Sequence, residues 1–308
     1  MKKIEILALE TIPEIQKGDD LAEIICRCAE KENIKIENKD IIVLTSKIVS
    51  KALGFTRKMT DVKIGKRALN ISKKTGKPPI WVQMILDSGQ QIVGVLPLSG
   101  IIKKIIMADS ANPEMSEKLC EFEKCIFISI DKKGCLHTCD AGIDGSNHPQ
   151  GIVSIIPNDC DEIALKIRKK IQEISHTNVA VILSDTELNL YGTTDVPIGS
   201  SGINPYSQMF AKEDKFGKPK MGGIDLVAHE ISAACALLFG QTSEGIPVGI
   251  IRGYDFEMDE SRNISNTLQL GSKSEILKII SETMRLTSYA IEGFYRRMLL
   301  RFGAFFIR

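Results

Sequence analysis

From Val179 to Leu183 the chain carries an unbroken apolar, largely β-branched run that stops abruptly at Ser184, Asp185 and Thr186. This pattern reads as a buried strand ending in a polar site. Side chains at the carboxyl end of such a strand point into a crevice, so Asp185 and Thr186 can offer oxygen ligands to a hard cation while the strand holds them rigid. Gly192, Gly199 and Gly202 follow with the acid Asp195, in a loop whose backbone can approach a ligand closely before the apolar pattern resumes at Ile203. A strand followed by an ordinary polar turn would use the same residues, so this stretch has to be read together with the rest of the chain.

With 308 residues the chain can bury roughly 75% of its unfolded surface, enough for one large domain or two smaller ones. A net charge of +1 with 26% charged residues is an ordinary surface, without the basic field that nucleic-acid binding requires. The N-terminus MKKIEILALETIPEI starts basic, but Glu5, Glu10 and Thr11 break its apolar run, so it suits neither a signal peptide nor a membrane span. The expected location is cytoplasmic, and the eight cysteines, none in a Cys-x-x-Cys pair, are expected as reduced thiols. Cys135, His137 and Cys139 alternate as on one face of a strand, but no second cluster completes a tetrahedral zinc set, and buried thiols are the expectation.

Taken in order, residues 3 to 9 alternate as a strand, and GDDLAEIICRCAEKENI opens acidic and repeats apolar residues at Leu21, Ile24, Ile25 and Cys28 as an amphipathic helix. Asp40 to Leu44 is a second buried strand. It ends in Thr45-Ser46-Lys47-Ile-Val-Ser50-Lys51, whose hydroxyls and lysines suit either a phosphate or a solvated strand end. Asp61 to Lys74 is basic and helical in pattern, and Ile80 to Asp87 is a short helix carrying the only tryptophan, Trp81, expected in the core. Gly89 to Ile106 is apolar and β-rich, SANPEMSEKLCEFEK is weakly helical, and Cys125 to Ile130 is a strand. Cys139 to Gly151 forms a tight polar loop able to present a carboxylate to a cation and an amide to a ligand, though a plain turn uses the same residues. A helix from Asp161 to Ile174 leads into the strand at Val179.

Farther on, Lys212 to Lys220 is a charged loop and Ile224 to Phe239 a helix containing His229, expected to be a satisfied helix residue. Gly240 to Pro247 is a polar loop before a strand at Val248 to Ile251. Polar loops around Ser46, Asp144, Asp185 and Gln241 share acid, amide and hydroxyl chemistry, which points to one cleft. Ser274 to Arg308 repeats apolar residues at a helical period and reads as one long amphipathic helix with the end YRRMLLRFGAFFIR. Such an end touches a membrane surface less often than it packs on its own core or on a partner subunit.

Together these segments resemble the γ-glutamyl ligase family that adds glutamate to the deazaflavin coenzyme F(420)-0. The resemblance runs from about Ile6 to Gly253, on Ile12-Pro-Glu-Ile15, Gly18-Asp-Asp-Leu21, Thr45 to Lys51, Ala141 to Asn147, Asp185-Thr186, Thr194-Asp-Val196, Ile198-Gly199, Gly245-Ile-Pro-Val248 and Arg252-Gly253. It implies an α+β fold of two interleaved subdomains with mixed sheets, a core expected over residues 1–262, and residues 263–308 are expected beside it as a C-terminal helical extension. It also implies an intertwined homodimer, GTP as energy source and two divalent cations, manganese or magnesium. Carried over, Asp144 and Asp185 would hold one cation, and Thr186 and Gln241 the other. Ile12, Pro13, Glu14, Ile15, Ser46, Lys47, Lys51 and Asn147 would line the GTP site with the loop that carries Gly240, Thr242, Glu244 and Gly245.

The chemistry suits these residue types, because an amide forms readily once GTP has converted a carboxylate into an acyl phosphate that an amine can attack. Cations, lysines and backbone amides that neutralise charge and align the reactants are what phosphoryl transfer needs. No single catalytic side chain stands out, and no Gly-x-x-x-x-Gly-Lys-Ser/Thr motif is present, so a P-loop is not expected. Four departures appear. The family usually carries arginines after its Asp-Thr where Glu187-Leu-Asn-Leu-Tyr191 has none, its Asn-Ala-Gly is Asp140-Ala-Gly here, and the segment after Ile101 and the tail after Ser274 are longer. The implied substrates are GTP, L-glutamate and a carboxylate acceptor, with no nucleic acid and no membrane partner. A catalytically silent relative, acting as a nucleotide-binding or scaffolding subunit, is the alternative, and acceptor-stimulated, metal-dependent GTP turnover discriminates the two.

Overall fold

The computed structural model describes residues 2–108, 110–189, 192–267 and 273–307. In chain order its strands are β1 (Glu5–Ala8), β2 (Ile41–Thr45), β3 (Thr56–Lys58), β4 (Gln91–Pro97), β5 (Cys125–Ile130), β6 (Leu136–His137), β7 (Ile152–Ser154), β8 (Ala180–Asn189), β9 (Gly192–Ile203), β10 (Ser207–Gln208), β11 (Ile224–Asp225), β12 (Val248–Arg252) and β13 (Met258–Asp259). Its helices are α1 (Leu21–Lys31), α2 (Ser46–Leu53), α3 (Lys66–Thr75), α4 (Pro79–Asp87), α5 (Gly100–Met107), α6 (Pro113–Glu123), α7 (Cys160–Ser175), α8 (Val227–Phe239), α9 (Ile264–Thr267), α10 (Lys273–Ala290) and α11 (Phe294–Ile307).

Six strands form the main sheet in the order β1-β12-β2-β8-β9-β13. β2 and β8 run parallel, from Ile41 opposite Ala180 to Thr45 opposite Ser184, and the other neighbours are antiparallel, so the sheet is mixed and the chain α+β as expected. Successive side chains of a strand point to opposite faces. Ile42, Leu44, Val181 and Leu183 accordingly join the core under α1, α2 and α7, whereas Ile41, Val43, Ala180 and Ile182 join the core under α8. Helices on both faces are the reason that the run at Val179 carries no polar residue. α1 starts where its sequence signals say, with Asp20 accepting from the Glu23 amide and Leu21, Ile24, Ile25 and Cys28 buried.

After α2 the chain leaves this sheet, builds a smaller body and returns. That body is the β4-β5-β6 sheet with α3 and α4, around a core containing Val82, Met84, Ile85 and Phe127. Trp81 packs against it, half-buried. Pairing of β3 with β7 ties the outgoing chain to the returning one, which interleaves the two bodies.

Several elements differ from the reading of the sequence. The strand at Val179 does not stop at Ser184 but continues to Asn189, because β9 pairs with it residue by residue and supplies the hydrogen bonds that the polar side chains do not. Ser46 to Lys51, expected as a strand end, is the start of α2, whose buried Ile48, Val49 and Ala52 recur at helical spacing. The β-rich stretch after Gly89 ends at Pro97, and Gly100 opens α5. The tail is helical but folds back on itself at Gly293, whose φ of 93° suits glycine, so that Ser281 Oγ on α10 donates to the Ala304 carbonyl on α11 at 2.6 Å. His229, expected to be satisfied, buries an Nδ1 that makes no hydrogen bond among the described residues.

Candidate metal and nucleotide site

Where β2 ends at Thr45 its parallel neighbour β8 runs on, and β12 begins only at Val248. Loops therefore gather at this end of the sheet around the exposed stretch of β8. They enclose a cleft of about 370 Å³, within the roughly 300–1,000 Å³ typical of small-molecule sites. Asp144, Asp185, Thr186 and Gln241, which come from three separate segments, all line it. So do Ser46 and Lys47 at the start of α2, Asn147, and Gly240, Thr242 and Gly245 beyond α8. Ser46 and Lys47 thus bring the N-terminus of α2 to the cleft, an arrangement that favours anions.

The site has two sides because β8 alternates. Asp185 faces α2 and accepts from Ser46 Oγ at 2.5 Å. On the same side Asp144 pairs with Lys47 Nζ at 2.6 Å and accepts from the Ser146 amide at 2.7 Å. Burial alone would raise the Asp144 carboxyl, but Lys47 and Ser146 hold it below the usual carboxylate range. Burial and then the negative charge of Glu187 push Asp185 up, to about 7, against the Ser46 hydrogen bond. On the other side of β8, Thr186 Oγ1 donates to Asp195 Oδ1 at 2.8 Å, directly opposite on β9.

Two of the remaining candidates reach the site through others. Lys51 Nζ bonds Glu14 Oε1 at 2.6 Å and the Asn147 carbonyl at 3.1 Å, while Asn147 Nδ2 donates to the Thr242 carbonyl at 2.9 Å. This chain of bonds ties Glu14 and Lys51 to Asn147 and Thr242 in the cleft wall. Within the segment Ile12 to Ile15, Pro13 and Glu14 are exposed, Ile12 is half-buried and Ile15 belongs to the core, so none of the four lines the cleft itself. Glu244 also lies off the cleft wall, where its carboxylate accepts from the Thr242 amide at 2.8 Å and braces the loop.

Three features escaped the sequence reading. Asp195 is a buried acid on a strand rather than part of a loop, 4% exposed and lining the cleft. Glu187 is also buried, and accepts from the Thr138 amide at 2.6 Å and from Thr138 Oγ1 at 2.7 Å, with His137 Nδ1 at 3.2 Å. Its charge is therefore met within the protein rather than presented to a ligand. Burial would lower His137, but Asp131 and Glu187 on its two sides raise it to about 9, so the ring is an imidazolium without a lone pair for a metal. Asp140 accepts from Lys77 Nζ at 2.5 Å and from the Phe127 amide at 2.9 Å, and Lys77 also pairs with Glu123. These bonds anchor the turn Asp140-Ala141-Gly142, three consecutive residues with φ of 49°, 61° and 68°.

The family model described as F420-0:Gamma-glutamyl ligase matches residues 10–253. The coenzyme F420:L-glutamate ligase of Methanosarcina acetivorans is 31% identical over 286 residues, 92% of this chain and 97% of the relative. That of Methanothermobacter thermautotrophicus is 30% identical over 82% of this chain and 89% of its own length, and that of Methanocaldococcus jannaschii 31% identical over 82% and 88%. A match that spans both bodies of the fold and every wall of the cleft leaves one conclusion: the chain belongs to the F420-0:gamma-glutamyl ligase family.

Proposed function

We propose that the protein is a cytoplasmic ligase that uses GTP and divalent cations to add L-glutamate to the deazaflavin coenzyme F420-0 or a related carboxylate, through an acyl phosphate. The observation that carries this reading is the convergence of Asp144, Asp185, Thr186 and Gln241 on one cleft beside the open N-terminus of α2. The donors are carboxylate, hydroxyl and amide oxygens, a set that suits Mn2+ or Mg2+ rather than a soft metal. Among the described residues Lys47 is the only lysine or arginine lining the cleft, against the acids Asp144, Asp185 and Asp195. A nucleoside triphosphate would add about four more negative charges, so charge balance calls for cations.

When bound, such cations would neutralise the phosphates and draw electron density from the phosphorus under attack. The chain's own groups do the rest. Asp144 and Asp185 would hold one cation, and Thr186 and Gln241 the other. Lys47 would exchange its pairing with Asp144 for a phosphate oxygen, and the α2 amides would orient the phosphate chain. The Lys51, Asn147 and Thr242 bonds would keep the two loops together over the nucleotide.

The test is turnover with purified protein, GTP, L-glutamate, F420-0 and Mn2+ or Mg2+, followed as GDP release and as the mass of the glutamylated product. Acceptor-stimulated turnover that stops on chelation is expected. Nucleotide binding with no glutamylation of F420-0 or other deazaflavin carboxylates would overturn the proposal in favour of a silent binding subunit. A homodimer is part of the same reading, supported by apolar side chains left bare on α6 and α11, among them Leu119, Phe122, Phe294, Phe302 and Phe305. Light scattering at micromolar concentration should give twice the chain mass, and a monomer would refute it.

A further inference from the structure

The cation assignment leaves an imbalance that the structure makes visible. Asp144 and Asp185 would give one cation two carboxylates, whereas Thr186, on the other side of β8, and Gln241, from the loop after α8, offer the second cation only neutral oxygens. Asp195 stands on that second side. It is 4% exposed, lines the cleft and receives the Thr186 hydroxyl at 2.8 Å, with Ser184 Oγ at 3.5 Å from its other oxygen. Among the described residues no lysine, arginine or histidine forms an ion pair with it, so a buried carboxylate faces the cleft held by hydroxyls alone. Such a charge is costly to bury unless a cation meets it.

We propose that Asp195 is the charged positioning residue of the second cation centre. Its Oδ1 accepts the Thr186 hydroxyl hydrogen bond, which turns the hydroxyl lone pairs away from Asp195 and toward the cleft, and its charge supplies what Thr186 and Gln241 lack. The arrangement is an outer-shell carboxylate orienting a neutral ligand, a role whose loss weakens metal binding about ten- to a hundredfold. Its place on the fold follows from the register. Thr186 and Asp195 are direct partners in the β8–β9 ladder, so the two side chains share a face by construction. The C-terminus of α8, which carries a partial negative charge, leads into Gln241.

This inference rests on the two-cation reading above, and the test separates the two. Mn2+ binding to the full chain is titrated by the electron paramagnetic resonance signal of free Mn2+, in the presence of a non-hydrolysable GTP analogue, with folding checked by circular dichroism. Wild-type protein should bind two Mn2+ per chain. Asp195→Asn, which keeps an oxygen for the Thr186 hydroxyl and removes only the charge, should keep one equivalent unchanged and weaken the other at least tenfold. Thr186→Val, which removes the ligand itself, should weaken the same equivalent, and Asp195→Asn added to Thr186→Val should weaken it further, because the charge acts whether or not the hydroxyl is present. Thr186→Ser, which keeps the hydroxyl, should restore the second equivalent. Wild-type protein without a second Mn2+ overturns the two-cation reading itself. Two unchanged equivalents in folded Asp195→Asn overturn the role of Asp195 while leaving that reading intact, and two unchanged equivalents in folded Thr186→Val overturn the ligand assignment instead.

Discussion

Replacing Lys77 by methionine tests whether the small body is built around a buried charge. The Lys77 side chain is 1% exposed and meets Asp140 at 2.5 Å and Glu123 as well. Burial alone would lower its pKa, but the two carboxylates raise it, so the lysine is charged in the folded protein. Methionine fits the volume but leaves both carboxylates without a cation, a loss of about 3–5 kcal/mol for a buried pair. Asp140 and Glu123 are 14% and 26% exposed, so water can reach them in part and the lower end applies, about 3 kcal/mol. At 2–4 °C per kcal/mol this is a fall in melting temperature of roughly 6–12 °C. The assay is tryptophan fluorescence against urea, since the Lys77 ammonium lies 5.5 Å from the ring of Trp81, the only tryptophan, which therefore reports on this body. Asp140→Asn on the Lys77→Met background removes one stranded charge and should recover part of the loss, giving a clear coupling in the double-mutant cycle. A Lys77→Met loss under about 1 kcal/mol, or strict additivity of the two changes, would refute the argument.

Three other expectations follow from single sites. His137 has its folded pKa raised to about 9, so its stabilisation is complete below about 6.5 and fades as pH rises through 9; urea midpoints should fall over that window in wild type and stay flatter in His137→Gln. A Cβ on Gly199 would meet the backbone carbon of Cys160 at 2.5 Å, so Gly199→Ala should cost about 1–3 kcal/mol by forcing β9 from α7, read in thermal melts. The family resemblance expects arginines after Thr186 that Glu187-Leu-Asn-Leu-Tyr191 lacks, so an anionic acceptor such as F420-0 is expected to bind about 1.5–3 kcal/mol more weakly, ten- to a hundredfold in its Michaelis constant, and a constant like that of an arginine-bearing relative refutes this.

The strands and helices that lie under a full layer were legible because burial writes itself into the sequence. Ile41 to Leu44 and Val179 to Leu183 need apolar side chains on both faces, and α1 needs one apolar stripe and an acidic start. The residues of the cleft were legible for a different reason, since acids, hydroxyls and amides at four loop positions match a known family and have little reason to share that chemistry by chance. Tertiary structure alone decided the rest. Whether Ser184 ends a strand depends on β9 lying alongside, and whether the tail is one helix or two depends on α10 offering its side to α11. Glu187 beside a cleft looks like a repelling charge until His137, fifty residues earlier, is found against it, and Asp140 looks like a plain turn residue until Lys77 is. Asp195 likewise took its meaning from the ladder that sets it opposite Thr186. Local sequence carries burial and propensity, but the partner of a buried charge is a long-range fact, fixed only when the chain has folded around it.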